Sequence, residues 1–217
     1  KLEENIVCST SDFLNSVKNP SEELLQKLEI ENKDERIFTL EGYVFPDTYE
    51  FYKGENSESV LNRFIDNYLS KVTEKDKLRA SELGYTMDEI LTIASIIQEE
   101  SGRPEQDYKV SSVLHNRLNT GTKIECDVTI TYLEDYCAPY ISGGLTDNEK
   151  ENYNTYKCTA LPAGPICNPG YSAIQAALYP EQTSYLFFVT DNEWNYYYAS
   201  TWDEHVANCR TAKIPGY

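Results

Sequence analysis

Residues 86–102, TMDEILTIASIIQEESG, contain the signals that begin a helix, fill it with apolar side chains and end it. Thr86 can cap the N-terminus, and Glu89, three residues later, completes a capping box. Gly102 is suited to a left-handed helix stop, and Pro104 prevents the helix from continuing. At about 100° per residue the apolar side chains form one stripe, which predicts a helix that buries one face. The stripe consists of Met87, Ile90, Ile93, Ala94 and Ile97.

Two adjacent carboxylates near the end of this helix face different surroundings. Glu99 projects away from the stripe, on the same side as Asp88, Thr92 and Ser95, whereas Glu100 lies on the flank of the stripe. A carboxyl group at the edge of an apolar face is partly desolvated, which raises its pKa and suits a general acid working near neutral pH. Alternatively, Glu100 is a boundary residue that reaches water or pairs with an arginine.

The composition is that of a soluble protein of 217 residues with a net charge of -17. This charge excludes nucleic acid as a partner, since no basic stripe is present to neutralise phosphates. Tyrosine is abundant, with 18 residues against 7 phenylalanines. Tyrosine offers a flat apolar face and a hydroxyl group, which suits sugar rings and interfaces, although many of these residues can equally be half-buried core residues.

The six cysteines have no zinc-ligand spacing, and the two histidines are far apart, so we expect neither a metal nor a cofactor. An even number of cysteines without metal spacing predicts disulfide bonds in an oxidising compartment. The alternative is a set of buried free thiols. The pairs that we consider plausible are Cys158 with Cys167, Cys126 with Cys137, and Cys8 with Cys209.

The order of elements predicts an α+β fold, with helices first and a small antiparallel sheet later. Residues 1–37 are interpreted as a helical lead-in, and residues 38–217 as the main domain. Residues 36–40 have the character of a strand. Residues 185–189 predict a buried strand, and residues 196–199 its hairpin partner, with a turn between them.

Several motifs, taken in order, resemble one known family. Across residues 38–210 they read LEGYVFPDTY at 40–49, ASIIQEE at 94–100, VLHNRL at 113–118, CDVTITY at 126–132, YNTY at 153–156, LPAGPI at 161–166 and NPG at 168–170. This ordered set resembles the membrane-anchored endolytic murein transglycosylases, the YceG-like family. The family's "EKE" helix is QEE here, and its "SDP" loop is Cys-Asp-Val. We infer that disulfides replace the rigidity that proline supplies in these loops.

The resemblance implies a lysozyme-like helical catalytic core with a small antiparallel β-sheet. It implies endolytic cleavage of the β-1,4 bond between MurNAc and GlcNAc without water, which leaves 1,6-anhydroMurNAc ends. It also implies that Glu100 is the catalytic residue. One carboxylate suffices for such a reaction, because the nucleophile is the C6 hydroxyl of the same sugar. A lysozyme-type hydrolase needs a second carboxylate, for which Asp127 and Glu125 are candidates. A non-catalytic peptidoglycan-binding module is a third hypothesis.

Five further residues are predicted on the resemblance to bind substrate: Ser101, Asp127, Thr129, Asn154 and Tyr156. Each also has an ordinary structural interpretation, such as a hydroxyl at a helix end for Ser101 or a turn cap for Asn154. Two other polar residues are interpreted as structural. Arg117 is expected to bridge to a buried carboxylate, and His205 has no nucleophile nearby in sequence.

The resemblance further implies the location, the substrate and the partners of the protein. Peptidoglycan glycan strands are the expected substrate, and wall-synthesis enzymes such as penicillin-binding proteins are expected partners. The family carries an N-terminal membrane helix and usually a small LysM-like domain. This sequence contains no apolar run of the length that a membrane span needs. We therefore expect it to be the catalytic part, at the extracytoplasmic face of the membrane, of a membrane-anchored protein.

Overall fold

The computed structural model describes residues 1–30, 32–158 and 160–217, and within them it confirms the α+β class. The β-strands are β1 Phe187–Thr190 and β2 Tyr196–Ala199. The chain between α7 and α8 contains a π-helical turn, Tyr132–Cys137, and a 3₁₀ turn, Ala138–Tyr140. The α-helices are α1 Thr10–Lys18, α2 Glu22–Leu28, α3 Ser57–Lys71, α4 Glu74–Leu83, α5 Met87–Glu100, α6 Asp107–Asn119, α7 Val128–Thr131, α8 Asp147–Tyr153, α9 Tyr171–Leu178 and α10 Trp202–Thr211.

Helix α5 is the centre of the fold, with α4, α6 and α9 packed around it. The expectation of a polar face on this helix is wrong, because Asp88, Thr92 and Ser95 are all buried. Asp88 is compensated by an ion pair with Arg36 and by the Tyr43 hydroxyl, which donates at 2.6 Å. Buried polar groups need such partners. The apolar stripe therefore predicted burial of one face of α5, whereas other parts of the chain pack against nearly all of its faces.

The N-terminal end of α5 is confirmed and the C-terminal end differs from the prediction. Thr86 and Glu89 form the reciprocal capping box. Ser101 is the C-cap, and Gly102 does not adopt the left-handed conformation. A Cβ atom on Gly102 would lie 2.1 Å from the ring of Trp194. Glycine at this position allows the indole ring of the later hairpin to approach the backbone, and it does not form a left-handed stop.

The strand predicted for residues 36–40 is not formed, and this prediction was wrong. The segment is a turn, in which the backbone N–H groups of Glu41 and Tyr43 bond to the carbonyl groups of Phe38 and Leu40. Its apolar residues are buried in a core that also includes Val17 of the lead-in. The apolar pattern therefore correctly indicated that these residues are buried. It did not indicate a strand, because no neighbouring strand in the described residues pairs with the segment. The division into residues 1–37 and 38–217 stays a prediction.

The antiparallel hairpin is confirmed, with Phe187 opposite Ala199 and Thr190 opposite Tyr196. The Asp191 carboxylate closes the turn by accepting the N–H groups of Glu193 and Asn195, each at 2.9 Å. Strand β1 is half-buried where the sequence predicted complete burial. One side of a two-stranded ribbon is left accessible, and that side borders the cavity described below.

The predicted disulfides are not formed, and the alternative of free thiols applies to all six cysteines. The proposed partners lie in different surroundings. The Cys167 thiol contacts the Ser95 carbonyl at 3.5 Å, whereas the Cys158 thiol contacts the Ala160 carbonyl. The Cys209 thiol contacts the His205 imidazole, one turn earlier in α10. The loops are therefore held by hydrogen bonds, and the idea that disulfides replace proline rigidity fails with the pairs.

Two features are not found in the described ranges. No helix there combines the length and apolar character that crossing a membrane requires. No group of three or more His, Cys, Asp or Glu side chains in these ranges is arranged to hold a metal ion.

Candidate active site

A cavity of about 550 Å³ opens beside the C-terminal end of α5. Its walls come from α5, α6, α10, strand β1 and the loop before α7. They comprise Glu100, Val113, Leu114, Arg117, residues 124–128, Tyr156, residues 186–190, Trp202, His205 and Tyr217. A larger cavity, of about 720 Å³, lies near Asn32 and Glu151. We place the site in the first cavity because it contains Glu100 among apolar and aromatic walls.

Glu100 lies half-buried at this cavity, on the last turn of α5. Burial raises the pKa of its carboxyl group above the ordinary value, and the nearby Asp127 carboxylate raises it further. The Cys126 thiol acts in the opposite direction by favouring the carboxylate. Burial also raises the pKa of Cys126, so this thiol stays protonated against Glu100. A carboxyl group whose pKa is raised by burial at a cavity is better suited to protonate a ligand than an exposed one.

The loop that carries Cys126 and Asp127 is fixed from beneath by two threonines. Thr155 is fully buried, and its hydroxyl accepts the N–H of Cys126 at 3.0 Å. Thr129 is also fully buried, and its hydroxyl donates to the Cys126 carbonyl at 2.9 Å. Glu125 has the left-handed conformation, with φ of 55°, which reverses the chain direction before Cys126. The loop is held rigidly enough to set the position of Asp127.

Asp127 and Tyr156, both predicted to bind substrate, lie next to each other at the cavity. The Tyr156 hydroxyl donates to Asp127 Oδ1 at 2.6 Å. Burial and the Asp127 carboxylate raise the pKa of Tyr156, which keeps the phenol protonated and donating. Asn154 does not line the cavity; its side-chain oxygen accepts the N–H of Tyr156 at 3.0 Å and so positions the ring.

Ser101 and Thr129 are placed away from the cavity wall. The Ser101 hydroxyl donates to the Arg103 carbonyl at 2.8 Å, and its backbone caps α5. Thr129 has no exposed surface, so it has no direct contact to offer a ligand in this conformation. Of the predicted residues, the fold brings Glu100, Asp127 and Tyr156 together at the cavity, while Asn154 and Thr129 support them.

Arg117 connects segments that are distant in the sequence, and its backbone partners could not be identified from the sequence alone. Its guanidinium group lies in the wall and donates to the carbonyl groups of Leu186, Lys123 and Ile124 and to the Glu125 carboxylate. The Glu125 side chain is 45% exposed, so the expected bridge to a buried carboxylate is not the main contact. Arg117 joins α6 to the loop before α7 and to the strand β1, which come together only in the fold.

Aromatic residues from the last part of the chain complete the wall. Phe187 stacks on His205, with ring centroids 5.2 Å apart, and Trp202 and Tyr217 pack around the same imidazole. Desolvation lowers the pKa of His205, and Arg117 lowers it further. His205 therefore lines the site as a neutral ring. In the sequence, only the i, i+3 spacing of Trp202 and His205 indicated that these two side chains lie on the same face of α10.

We expect the stability of the protein to depend on pH through Glu100. The folded state raises this pKa above the ordinary value of 4.5, so it binds the proton more tightly than the unfolded state. The contribution to stability is complete below the unfolded pKa and is lost as pH rises through the folded pKa. The unfolding free energy of the wild type, minus that of Glu100→Gln, should therefore fall as pH rises.

Chemical denaturation of the two proteins across the acidic to neutral range measures this difference. The matched control is Glu105→Gln, which alters an exposed carboxylate shortly after α5. A flat or rising difference for Glu100→Gln, or the same trend for Glu105→Gln, would contradict the interpretation.

We compared the sequence of this chain with those of known proteins and found matches to one family. The sequence profile of the YceG-like family matches residues 9–211. An endolytic murein transglycosylase of Bacillus subtilis is 34% identical over 169 residues, which is 76% of this chain and 46% of the relative. One of Streptococcus pneumoniae is 30% identical over 193 residues, which is 85% of this chain and 34% of the relative. The chain thus spans less than half the length of either relative.

A solved structure agrees with this match in fold. The crystal structure of a YceG-like protein from Listeria monocytogenes superimposes with a TM-score of 0.76 at 27% identity. The match covers 92% of this chain and 67% of the Listeria chain. Since the family profile extends over nearly all of the sequence, the chain belongs to the YceG-like family.

Proposed function

We propose that this chain is the catalytic part of an endolytic lytic transglycosylase, which cleaves the β-1,4 bond between MurNAc and GlcNAc in glycan strands. The observation that carries the proposal is the half-buried Glu100 with its raised pKa, at a cavity with aromatic walls. The names of the Bacillus and Streptococcus relatives agree with this activity.

The reaction uses one carboxyl group twice. Glu100, protonated at the start, gives its proton to the glycosidic oxygen as the bond from that oxygen to C1 of MurNAc breaks. The resulting carboxylate then takes the proton of the C6 hydroxyl of the same sugar, whose oxygen forms the new bond to C1. The acid is restored, no water is consumed, and the product ends in 1,6-anhydroMurNAc. Because the nucleophile belongs to the substrate, proximity supplies much of the rate.

The other site residues have supporting roles in this proposal. Asp127 and Tyr156 form a hydrogen-bonded pair at the wall that can contact sugar hydroxyl or N-acetyl groups. Asn154 orients Tyr156, and Thr129 holds the loop of Asp127. Ser101 ends α5 and thereby fixes the last turn, on which Glu100 lies. We assign substrate contact to the first pair and positioning to the other three.

A lysozyme-type hydrolase is the second candidate, because Asp127 lines the same cavity as Glu100 and supplies a second carboxylate. We favour the transglycosylase because the Tyr156 hydroxyl already occupies one oxygen of Asp127. A non-catalytic binding module is the third candidate. This function would not require the raised pKa of Glu100.

The mass of the products separates these candidates. We expect uncrosslinked glycan strands incubated with the protein to yield fragments with anhydro ends. A hydrolase yields fragments heavier by one water, and a binding module yields none. Incubation in ¹⁸O-labelled water provides the internal control, since transglycosylation incorporates no label and hydrolysis incorporates it at the new reducing end. Labelled ends would overturn the proposal in favour of Asp127 as second carboxylate.

We further propose that the domain works at the extracytoplasmic face of the cell membrane, since peptidoglycan is located there. In this proposal the full-length protein is membrane-anchored, and wall-synthesis enzymes such as penicillin-binding proteins are its partners. Partner capture with the full-length protein in membranes, with and without Glu100→Gln, tests whether such contacts depend on activity.

A further inference from the structure

A second cleft adjoins the cavity of Glu100. It has a volume of about 260 Å³ and shares Val128 with that cavity. Its other lining residues are Glu41, Glu99, Thr131, Tyr132, Tyr136, Ile166, Cys167 and Asn168. Glu99 faces this cleft while Glu100 faces the first, so the two depressions lie on either side of the end of α5. We call this second depression the distal cleft.

The distal cleft continues into a third depression of about 300 Å³. Glu41, Tyr136 and Asn168 line both, and Tyr140 is added in the third. Shared lining residues thus connect the cavity of Glu100 to a surface that extends as far as α1. A path of this kind suits a linear polymer better than a compact small molecule.

A rigid polar pair forms one wall of the distal cleft. The Asn168 side-chain oxygen accepts the N–H groups of Gly42 and Val44, at 3.0 and 2.9 Å. Its NH₂ group donates to the Glu41 carboxyl at 2.6 Å. All of these contacts fix Asn168, and Asn168 in turn fixes Glu41. Such preorganisation is typical of a residue that recognises a ligand.

The Glu41 carboxyl is not used by the proposed reaction, and its protonation state suits hydrogen bonding to sugars. Burial raises its pKa to about 7, against the opposing effects of Asn168 and the Gly42 N–H. Near neutral pH this carboxyl is present in both forms, so it can donate to an acceptor or accept from a hydroxyl group. Hydroxyl and N-acetyl groups offer both kinds of partner.

Two exposed tyrosines border the path. Tyr136 is 60% exposed and Tyr140 is 56% exposed, and both follow α7 in the π-helical and 3₁₀ turns. Exposed aromatic rings of this size add little to the core, and their faces suit the apolar faces of sugar rings. Among the described residues that line the distal cleft none is basic, while Glu41 and Glu99 are acidic. A free carboxylate on the ligand is therefore disfavoured in this cleft, and an uncharged sugar unit such as GlcNAc is favoured.

From these contacts we propose that the distal cleft binds N-acetylated sugar units of the same glycan strand, beyond the bond that Glu100 cleaves, with Tyr136 and Tyr140 as stacking surfaces. This inference rests on the proposed function for the identity of the strand. It predicts that long strands bind more tightly than short ones, and that the tyrosines account for the difference.

The test measures binding in the Glu100→Gln background by calorimetry, so that no strand is cleaved. We expect Tyr136→Ala and Tyr140→Ala each to weaken the binding of long strands roughly three- to tenfold, the loss typical of one aromatic contact. Disaccharides, which are short enough to be held in the first cavity alone, should bind unchanged. Tyr136→Phe keeps the aromatic ring and should bind long strands with the same affinity as the parent protein. Tyr52→Ala, at a tyrosine that is 79% exposed and lines none of the three depressions, is the matched control.

Each outcome decides the matter. Loss confined to long strands supports the inference, whereas equal loss for both lengths or no loss at all overturns it. Both tyrosines are exposed, so circular dichroism and melting curves should match those of the wild type. If the wild type produces no anhydro ends, the proposed function fails, while the length dependence of binding still shows whether the distal cleft takes sugars.

Discussion

Glu100→Gln is expected to reduce the cleavage of glycan strands by at least about a thousandfold, in the range that loss of a general acid produces. The amide is close in size to the carboxyl group but can neither give a proton to the leaving oxygen nor accept one from the C6 hydroxyl. Because the same group serves both steps, no second carboxylate takes over part of the task. The binding of strands should be retained, since the cavity walls are unchanged.

Release of anhydro-ended fragments, quantified by mass spectrometry, measures this effect. Glu105→Gln removes the same charge from an exposed residue nearby and should cleave at the wild-type rate. Cleavage by Glu100→Gln within about tenfold of the wild type would show that another group is the acid. A parallel loss in Glu105→Gln would indicate a general effect of charge.

Arg117→Met is expected to lower the free energy of unfolding by about 3 kcal/mol, which lowers Tm by roughly 6–12 °C in a protein of this length. The substitution keeps much of the side-chain volume and removes the donors. The carbonyl groups of Leu186, Lys123 and Ile124 then lose a charged partner. Buried acceptors without partners are costly, and the ring of Phe187 also loses the cation above it.

Urea denaturation measures the loss, and the matched control is Arg210→Met on exposed α10 surface, which should stay within about 0.5 kcal/mol of the wild type. Arg117→Lys is a graded test, because an ammonium group cannot reproduce the fork of the guanidinium. It should retain part of the stability. If Arg117→Met is as stable as Arg210→Met, then the contacts of Arg117 do not hold the strand to the loop.

Local signals in the sequence predicted α5 and the partial burial of Glu100 at its end. The capping box of Thr86 and Glu89 acts within one turn, and the position of Glu100 on the stripe follows from helix geometry alone. The hairpin was also predicted, because residues adjacent in sequence pair across a short turn. Such features need no knowledge of what packs against them.

The rest depended on contacts between residues far apart in the chain. Asp88 is a polar residue on a buried face, and only the arrival of Arg36 and Tyr43 makes that burial tolerable. The apolar pattern at residues 36–40 could not reveal that no partner strand would be present. The cysteine count could not reveal that all six thiols stay unpaired, since pairing is set by the tertiary fold. Arg117 was expected to bridge to a buried carboxylate, and the sequence could not show that its main partners are the carbonyl groups of Leu186, Lys123 and Ile124.

The close approach of Trp194 to Gly102 also bears on the order in which this part of the molecule reaches its final geometry during synthesis. The Tyr196 hydroxyl accepts the N–H of Gly102 at 2.8 Å, so the hairpin holds the chain directly after Glu100. Glu100 is translated first, and the hairpin residues that support it follow almost a hundred residues later. A chain that is still growing, or one cut short before the hairpin, therefore contains Glu100 without the contacts that hold the residues directly after it. The geometry at the end of α5 is thus complete only once residues 194–196 have been translated and have folded back against Gly102.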